Sequence, residues 1–310
     1  MHNDFIGFDR IIEGFNKRAY KNNLSHAHLI IGPEGIGKSL IAKKFAMSIL
    51  GKTVDKDYVD IINYKPQKAS FGVEEVRGII EEVNKKPFEG DKKVIIIYQG
   101  SRLTKQAQNA LLKTVEEPPK GVYIIILSES LELMLDTIKS RSQIYKLTPL
   151  NREEILRFIN KIGEQDNEKT LVAISYAEGV PGRVLKILRD KDLTNLRDLI
   201  VELFKDINKG DGEKVLAYDN KFSKYKGDKE EVINIIALFI RDILVYKELE
   251  HKNMIVNLDK FNEINELTSL FSYKKLNSML EYINEARTNL LNNVSYSITI
   301  SMLLIGFLED

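Results

Sequence analysis

"HLIIGPEGIGKS", residues 28–39, joins a short apolar run to a glycine-rich turn that ends in lysine and serine. Gly32, Gly37, Lys38 and Ser39 fit the spacing G-x-x-x-x-G-K-[ST], and Gly35 adds a further glycine inside the turn. The run before it is apolar and β-branched, as a strand buried on both faces requires, and Leu40 to Leu50 is patterned as a helix. Strand, glycine turn and helix N-terminus in that order make a cradle whose backbone N–H groups point at phosphate oxygens. Lys38 would place a charge at the outer phosphates, and Ser39 would offer a hydroxyl to magnesium. The competing reading is a glycine turn before a helix, with no ligand.

Outward from that stretch, two more runs share its texture: "VIIIYQG", residues 94–100, and "VYIIILS", residues 122–128. Helical patterns lie between them, from Val73 to Asn84 and from Lys105 to Glu117. The second has Thr104 as its N-cap, an apolar stripe of Ala107, Ala110, Leu111 and Val115, and Pro118–Pro119 to forbid continuation. Such alternation predicts an α/β domain, a parallel sheet flanked by helices. After about Tyr145 the strand texture stops. Asn151 with Glu154 reads as a capping box, and Glu168 to Leu188 as helix, turn and helix around "EGVPGR". From Asp192 the pattern is helical and amphipathic, with Leu276, Met279, Leu280, Ile283 and Leu290 spaced as the core of a bundle. Three domains are expected: residues 1–147, α/β; 148–191, small and helical; 192–310, helical.

Bulk composition narrows the functional classes. Forty-six basic residues against forty-five acidic leave a net charge of +1, not the footprint of a chain that holds nucleic acid by its own charge. With no cysteine, disulfides, thiolate zinc sites and cysteine nucleophiles are excluded. His2, His26, His28 and His251 show no metal-ligand spacing and read as ordinary surface or core residues. No apolar run approaches the roughly 20 residues of a membrane span, and the first residues carry charge, so a cytoplasmic protein is expected.

Binding phosphate is not hydrolysing it. In P-loop enzymes a second strand ends in an aspartate that holds magnesium, and a neighbouring glutamate can orient the attacking water. The corresponding stretch here, "KKVIIIYQGSRLT", residues 92–104, has Tyr98, Gln99 and Gly100 at that point. Glu116 and Glu117 lie at the far end of the next helix, where a solvated terminus is the simpler reading than a displaced metal site.

"LTKQAQNALLKTVEEPPKGVYIIILSES", residues 103–130, followed by "TIKSRS", residues 137–142, resembles the ATPase core of bacterial DNA polymerase III clamp-loader subunits. Residues 4–39 resemble the opening of that family, "EGVPGRVLKIL" its lid, and, more faintly, "LLNNVSYSITISMLLIGFL" the last helix of its collar. The resemblance implies an AAA+ P-loop domain, a helical lid and a C-terminal helical collar through which subunits assemble. It is closest to the delta-prime type, which lacks the acids of the second strand, as Tyr98 and Gln99 do here. For the residues, it implies that Arg141 is an arginine finger acting in trans on a neighbour's ATP, and that Arg183 is the lid arginine touching phosphates of the same subunit. Ser128 falls at the family's sensor position. By itself Arg141 reads first as a helix cap or the partner of a carboxylate, while Ser128 reads equally as a sensor or as a polar residue closing a strand.

Two departures qualify the resemblance. "LGKTVDKDYVDIINYKP", residues 50–66, is short and cysteine-free where related subunits carry a four-cysteine zinc module, and the phosphate loop is intact where some delta-prime subunits have lost it. Ser142 replaces a family cysteine. The expected cofactor is ATP or ADP, with magnesium held weakly if at all and no zinc. The implied role is a stator subunit in a ring with gamma/tau and delta subunits, reaching the sliding clamp and primed DNA through the assembly. A motor ATPase with a relocated acid, or a scaffold with a vestigial loop, are the alternatives.

Overall fold

Helix α1 (Asp9–Tyr20) and strand β1 (Ala27–Ile31) lead into the phosphate loop in the computed structural model, which describes residues 6–66, 70–164 and 168–309. His2 and the first residues of the stretch that resembles the family opening lie outside the described residues. Beyond the loop come α2 (Lys38–Ile49), β2 (Ile61–Tyr64), α3 (Val73–Asn84), β3 (Lys93–Ile97), α4 (Lys105–Glu116), β4 (Val122–Ser128), α5 (Asp136–Arg141) and β5 (Gln143–Lys146). All neighbouring strands pair parallel, in the order β2-β3-β4-β1-β5. The three runs read as strands are its centre. β1 and β3 are buried at every position and β4 at all but one, which is why their sequences are continuous rather than alternating.

The two edge strands were not expected. β2 and β5 are four residues each, largely part-exposed, and mix polar with apolar side chains, so neither makes an apolar run. The helices behave as their end signals dictate. Thr104 accepts a hydrogen bond from Ala107 N at 3.1 Å, and Asn151 and Glu154 form the reciprocal capping box at the start of α6 (Arg152–Lys161).

The turn "EGVPGR" separates α7 (Glu168–Ala177) from α8 (Pro181–Arg189). Then follow α9 (Lys191–Asn208), α10 (Gly212–Phe222), α11 (Lys229–Leu249), α12 (Phe261–Leu270), α13 (Tyr273–Leu291) and α14 (Tyr296–Gly306). The chain divides into two compact units: Met1–Gly163 with Ala177–Arg183, and Glu164–Tyr176 with Val184–Asp310. The segment expected to be a small domain of its own is thus shared out between them.

The second unit is a helical bundle around Phe204, Phe239, Phe271 and Phe307, with Leu276, Met279, Ile283 and Leu290 buried as their spacing requires and Leu280 packed against them. It also buries a polar knot. Asp242 accepts from the backbone of Val256 and Asn257, and the Asn257 side-chain oxygen accepts from Tyr176 and Arg197. Asp259 neutralises Arg197. Each buried polar group named here is satisfied, as a low-dielectric interior demands.

Candidate functional site

The phosphate loop leaves the carboxyl end of β1, between β4 and β5, and runs straight into α2. That is the point in a parallel sheet where ligand crevices form. Gly32 N donates to Ser128 O at 3.2 Å, so β4 anchors the loop's first residue. Gly35 and Gly37 take φ of +84° and +106°, in the left-handed region a side chain disfavours. Gly37 caps α2 with no side chain, leaving the helix's first N–H groups turned to the loop. Lys38 Nζ reaches back to the carbonyls of Gly32, at 2.5 Å, and Pro33, at 2.9 Å, bracing the turn. Burial lowers the ammonium's pKa, against a pull upward from the carboxylates of Glu129 and Glu34. Ser39 is exposed at the start of α2.

A second segment closes on the loop. Gly182 N donates to Gly35 O at 2.9 Å, and a Cβ at Gly182 would meet the Gly35 Cα at 2.7 Å. The two backbones touch, and only glycine at 182 permits it. Arg183, next in the chain, pairs with Glu178 at 2.9 Å and is exposed. The structure therefore brings the lid turn to the loop through Gly182, while the Arg183 guanidinium is engaged by its own segment.

At the end of β3, Tyr98 is half-buried and its hydroxyl donates to Asn63 Oδ1 at 3.1 Å. Burial raises its pKa, so the phenol stays neutral at physiological pH. Gln99 turns the chain with φ +49° into a short 3₁₀ turn, Gly100–Arg102. The loop's glycines, backbone N–H groups and Lys38 fit the phosphates of a nucleotide. Tyr98 and Gln99, the two residues after β3, do not fit a magnesium held by an acid there. Ser128 is buried, and its hydroxyl donates to Ser130 O at 3.0 Å, so the side chain serves the turn after β4.

Arg141 ends α5, about 42% exposed, with its Nε 2.6 Å from Glu116 Oε1 at the end of α4. Its Nη1 donates to Thr137 O and Ser140 Oγ, each at 3.3 Å. Glu116 is therefore an ion-pair partner and not merely a solvated terminus. The sequence offers a carboxylate as one partner for Arg141 but does not single out Glu116, nor does it place Glu129 beside Lys38; no spacing rule links residues brought together only by the fold.

Two family models match the chain: that for the DNA polymerase III delta subunit over residues 7–151, and that for its C-terminal part over residues 192–309. Among curated relatives, the DNA polymerase III subunit delta' of Bacillus subtilis is 24% identical, over 89% of this chain and 88% of its own length. A DNA polymerase III subunit gamma from Buchnera aphidicola is 25% identical, over 98% of this chain and 94% of its own. A gamma subunit-related protein of Thermotoga maritima has the same fold, with a TM-score of 0.55 at 17% identity, over 96% of this chain and 98% of the other.

Proposed function

Because the chain belongs to the clamp-loader subunit family of DNA polymerase III, we propose that it acts there as a delta-prime-like stator, lending Arg141 to the ATP site of a neighbouring motor subunit. One observation carries this reading. The end of β3 offers Tyr98 and Gln99, neither able to balance a metal's charge, while a guanidinium stands exposed at the end of α5. An arginine supplied in trans stabilises charge on a transferring phosphoryl group and is worth roughly 10³ to 10⁵ in rate.

The intact loop supports nucleotide held without rapid turnover, with Lys38 and the loop backbone on the phosphates. Assembly with gamma/tau and delta subunits would run through the second unit. There α14 leaves Ile298, Met302 and Ile305 exposed at spacings of four and three, an apolar stripe that a partner helix would cover. Sliding clamp and primed DNA would be met through the assembly; a net charge of +1 favours modest DNA contact by this chain itself.

A motor ATPase is the second reading, favoured by the intact loop and by gamma relatives that match as well as delta' ones. The reconstituted assembly separates the two. Arg141→Ala is expected to cut DNA-stimulated ATPase by roughly 10³-fold, while Lys38→Ala leaves most of it. The opposite ranking, together with ATP turnover by the isolated chain that Lys38→Ala abolishes, would establish the motor reading instead. Binding of a fluorescent ATP analogue to the isolated chain tests the loop itself; a vestigial loop binds none.

A further inference from the structure

We infer that Glu116 is the positioning residue for Arg141, fixing which edge of the guanidinium is presented outward. The inference rests on the trans-acting role proposed for that arginine.

Both ends of the ion pair stand on supports that are themselves fixed. Glu116 is the last residue of α4 and Arg141 the last of α5. Gln108, 2% exposed, ties α4 to the segment leading into α5. Its Nε2 donates to Leu103 O at 3.2 Å and Leu133 O at 3.0 Å, and its Oε1 accepts from Leu135 N at 2.8 Å. Met134 and Ile138 are buried in the core below. A buried amide with three satisfied bonds holds the two helices in one register.

On that frame the Glu116 carboxylate takes the inner nitrogen, Nε, at 2.6 Å. Nη1 rests on α5's own Thr137 and Ser140, and Nη2 makes no hydrogen bond to the described residues. A guanidinium has five N–H donors in one plane, so fixing Nε and Nη1 fixes the direction of the rest. The outward donors are then aimed before any phosphate arrives, and little side-chain entropy remains to be lost on contact.

The place of Glu116 argues that this arrangement serves more than stability. A carboxylate at the C-terminus of a helix opposes the macrodipole, and Glu117 follows it at once. A half-exposed ion pair returns little in water. Stability alone gives an acid there little to do; holding a cation in one orientation gives it a role.

The test uses the assembly of this chain with its motor subunits. Glu116→Ala is expected to lower kcat of the DNA-stimulated ATPase by about 10- to 100-fold, with KM for ATP changed less than about twofold. Glu116→Gln should restore most of the rate, since a carboxamide oxygen can still sit beside Nε. Glu116→Ala combined with Arg141→Ala should be no slower than Arg141→Ala alone, because a positioning residue has nothing left to position. Melting of each variant, followed by circular dichroism, is expected to match the parent chain. Wild-type or faster turnover in Glu116→Ala, with Arg141→Ala nearly inactive, would overturn the positioning role and leave the stator reading standing. A Glu116→Gln variant as slow as Glu116→Ala would overturn it too. Full turnover in Arg141→Ala would remove the stator reading and this assignment together.

Discussion

His28, the second residue of β1, is fully buried, with the Phe15 ring edge-on at 5.2 Å and the Tyr145 hydroxyl 3.3 Å from Nδ1. Burial first, then the nearby Arg18 charge, pushes its pKa down from 6.5 to about 4. The unfolded chain therefore binds the proton more readily than the folded one. This group leaves stability unaffected above about pH 6.5, and stability falls as pH drops from there toward 4. The loss reaches about 2 kcal/mol by pH 5 and about 3 kcal/mol below pH 4. Urea denaturation at pH 7.5 and pH 5 should show His28→Leu losing less stability than the parent chain over that interval. Equal losses would mean that the ring is not titrating as argued. At this scale the candidate site was only partly legible. Gly32, Gly37, Lys38 and Ser39 announce themselves because their spacing is local. The partners of Arg141, Arg183 and Ser128 were hidden, since choosing among a phosphate, a carboxylate and a carbonyl needs distances.

Among elements, β3 shows how one strand secures the helix before it. Lys93, its first residue, is 2% exposed, and its Nζ donates to the carbonyls of Glu82, at 3.0 Å, and Lys85, at 2.9 Å, while pairing with the Glu82 carboxylate at 3.0 Å. The end of α3 is thereby capped from outside the helix. Lys93→Met keeps the aliphatic stem and removes the donor; it should cost about 2 kcal/mol, read as a shift of the urea midpoint. A shift worth less than about 0.5 kcal/mol would show that water caps those carbonyls as well. The same strand explains what could be read of the fold. A strand covered on both faces is apolar wherever it has no polar partner at hand, and so the long apolar runs of β1, β3 and β4 stand out. β2 and β5 are each covered on one edge only, and nothing in four half-polar residues distinguishes them from loop. The end signals at Thr104 and Asn151 worked because capping is chemistry between near neighbours.

For the molecule as a whole, the helical unit carries a surface its own fold does not use. In helix α14, Ile300, Leu303 and Leu304 fill the core, leaving Ile298, Met302 and Ile305 outside. A charge on that outer face should leave the bundle folded and weaken assembly. Ile298→Glu with Ile305→Glu is expected to reduce association with partner subunits by about tenfold or more, measured by sedimentation velocity, with helical content unchanged. Undiminished association would place the contact elsewhere. Among the described residues, no helix is long and apolar enough to cross a membrane, so α14's outer stripe is too short to serve as a span.

The polypeptide passes between its two units at 163–164, at 176–177 and again at 183–184. A single proteolytic nick cannot give two fragments that each hold one whole unit. Expressing residues 1–163 alone would omit Gly179 and Gly182, and with Gly182 the backbone donor that meets Gly35. Anyone trimming this protein for binding work should keep the excursion through residue 183, or graft it back, before interpreting how the truncated chain handles a nucleotide.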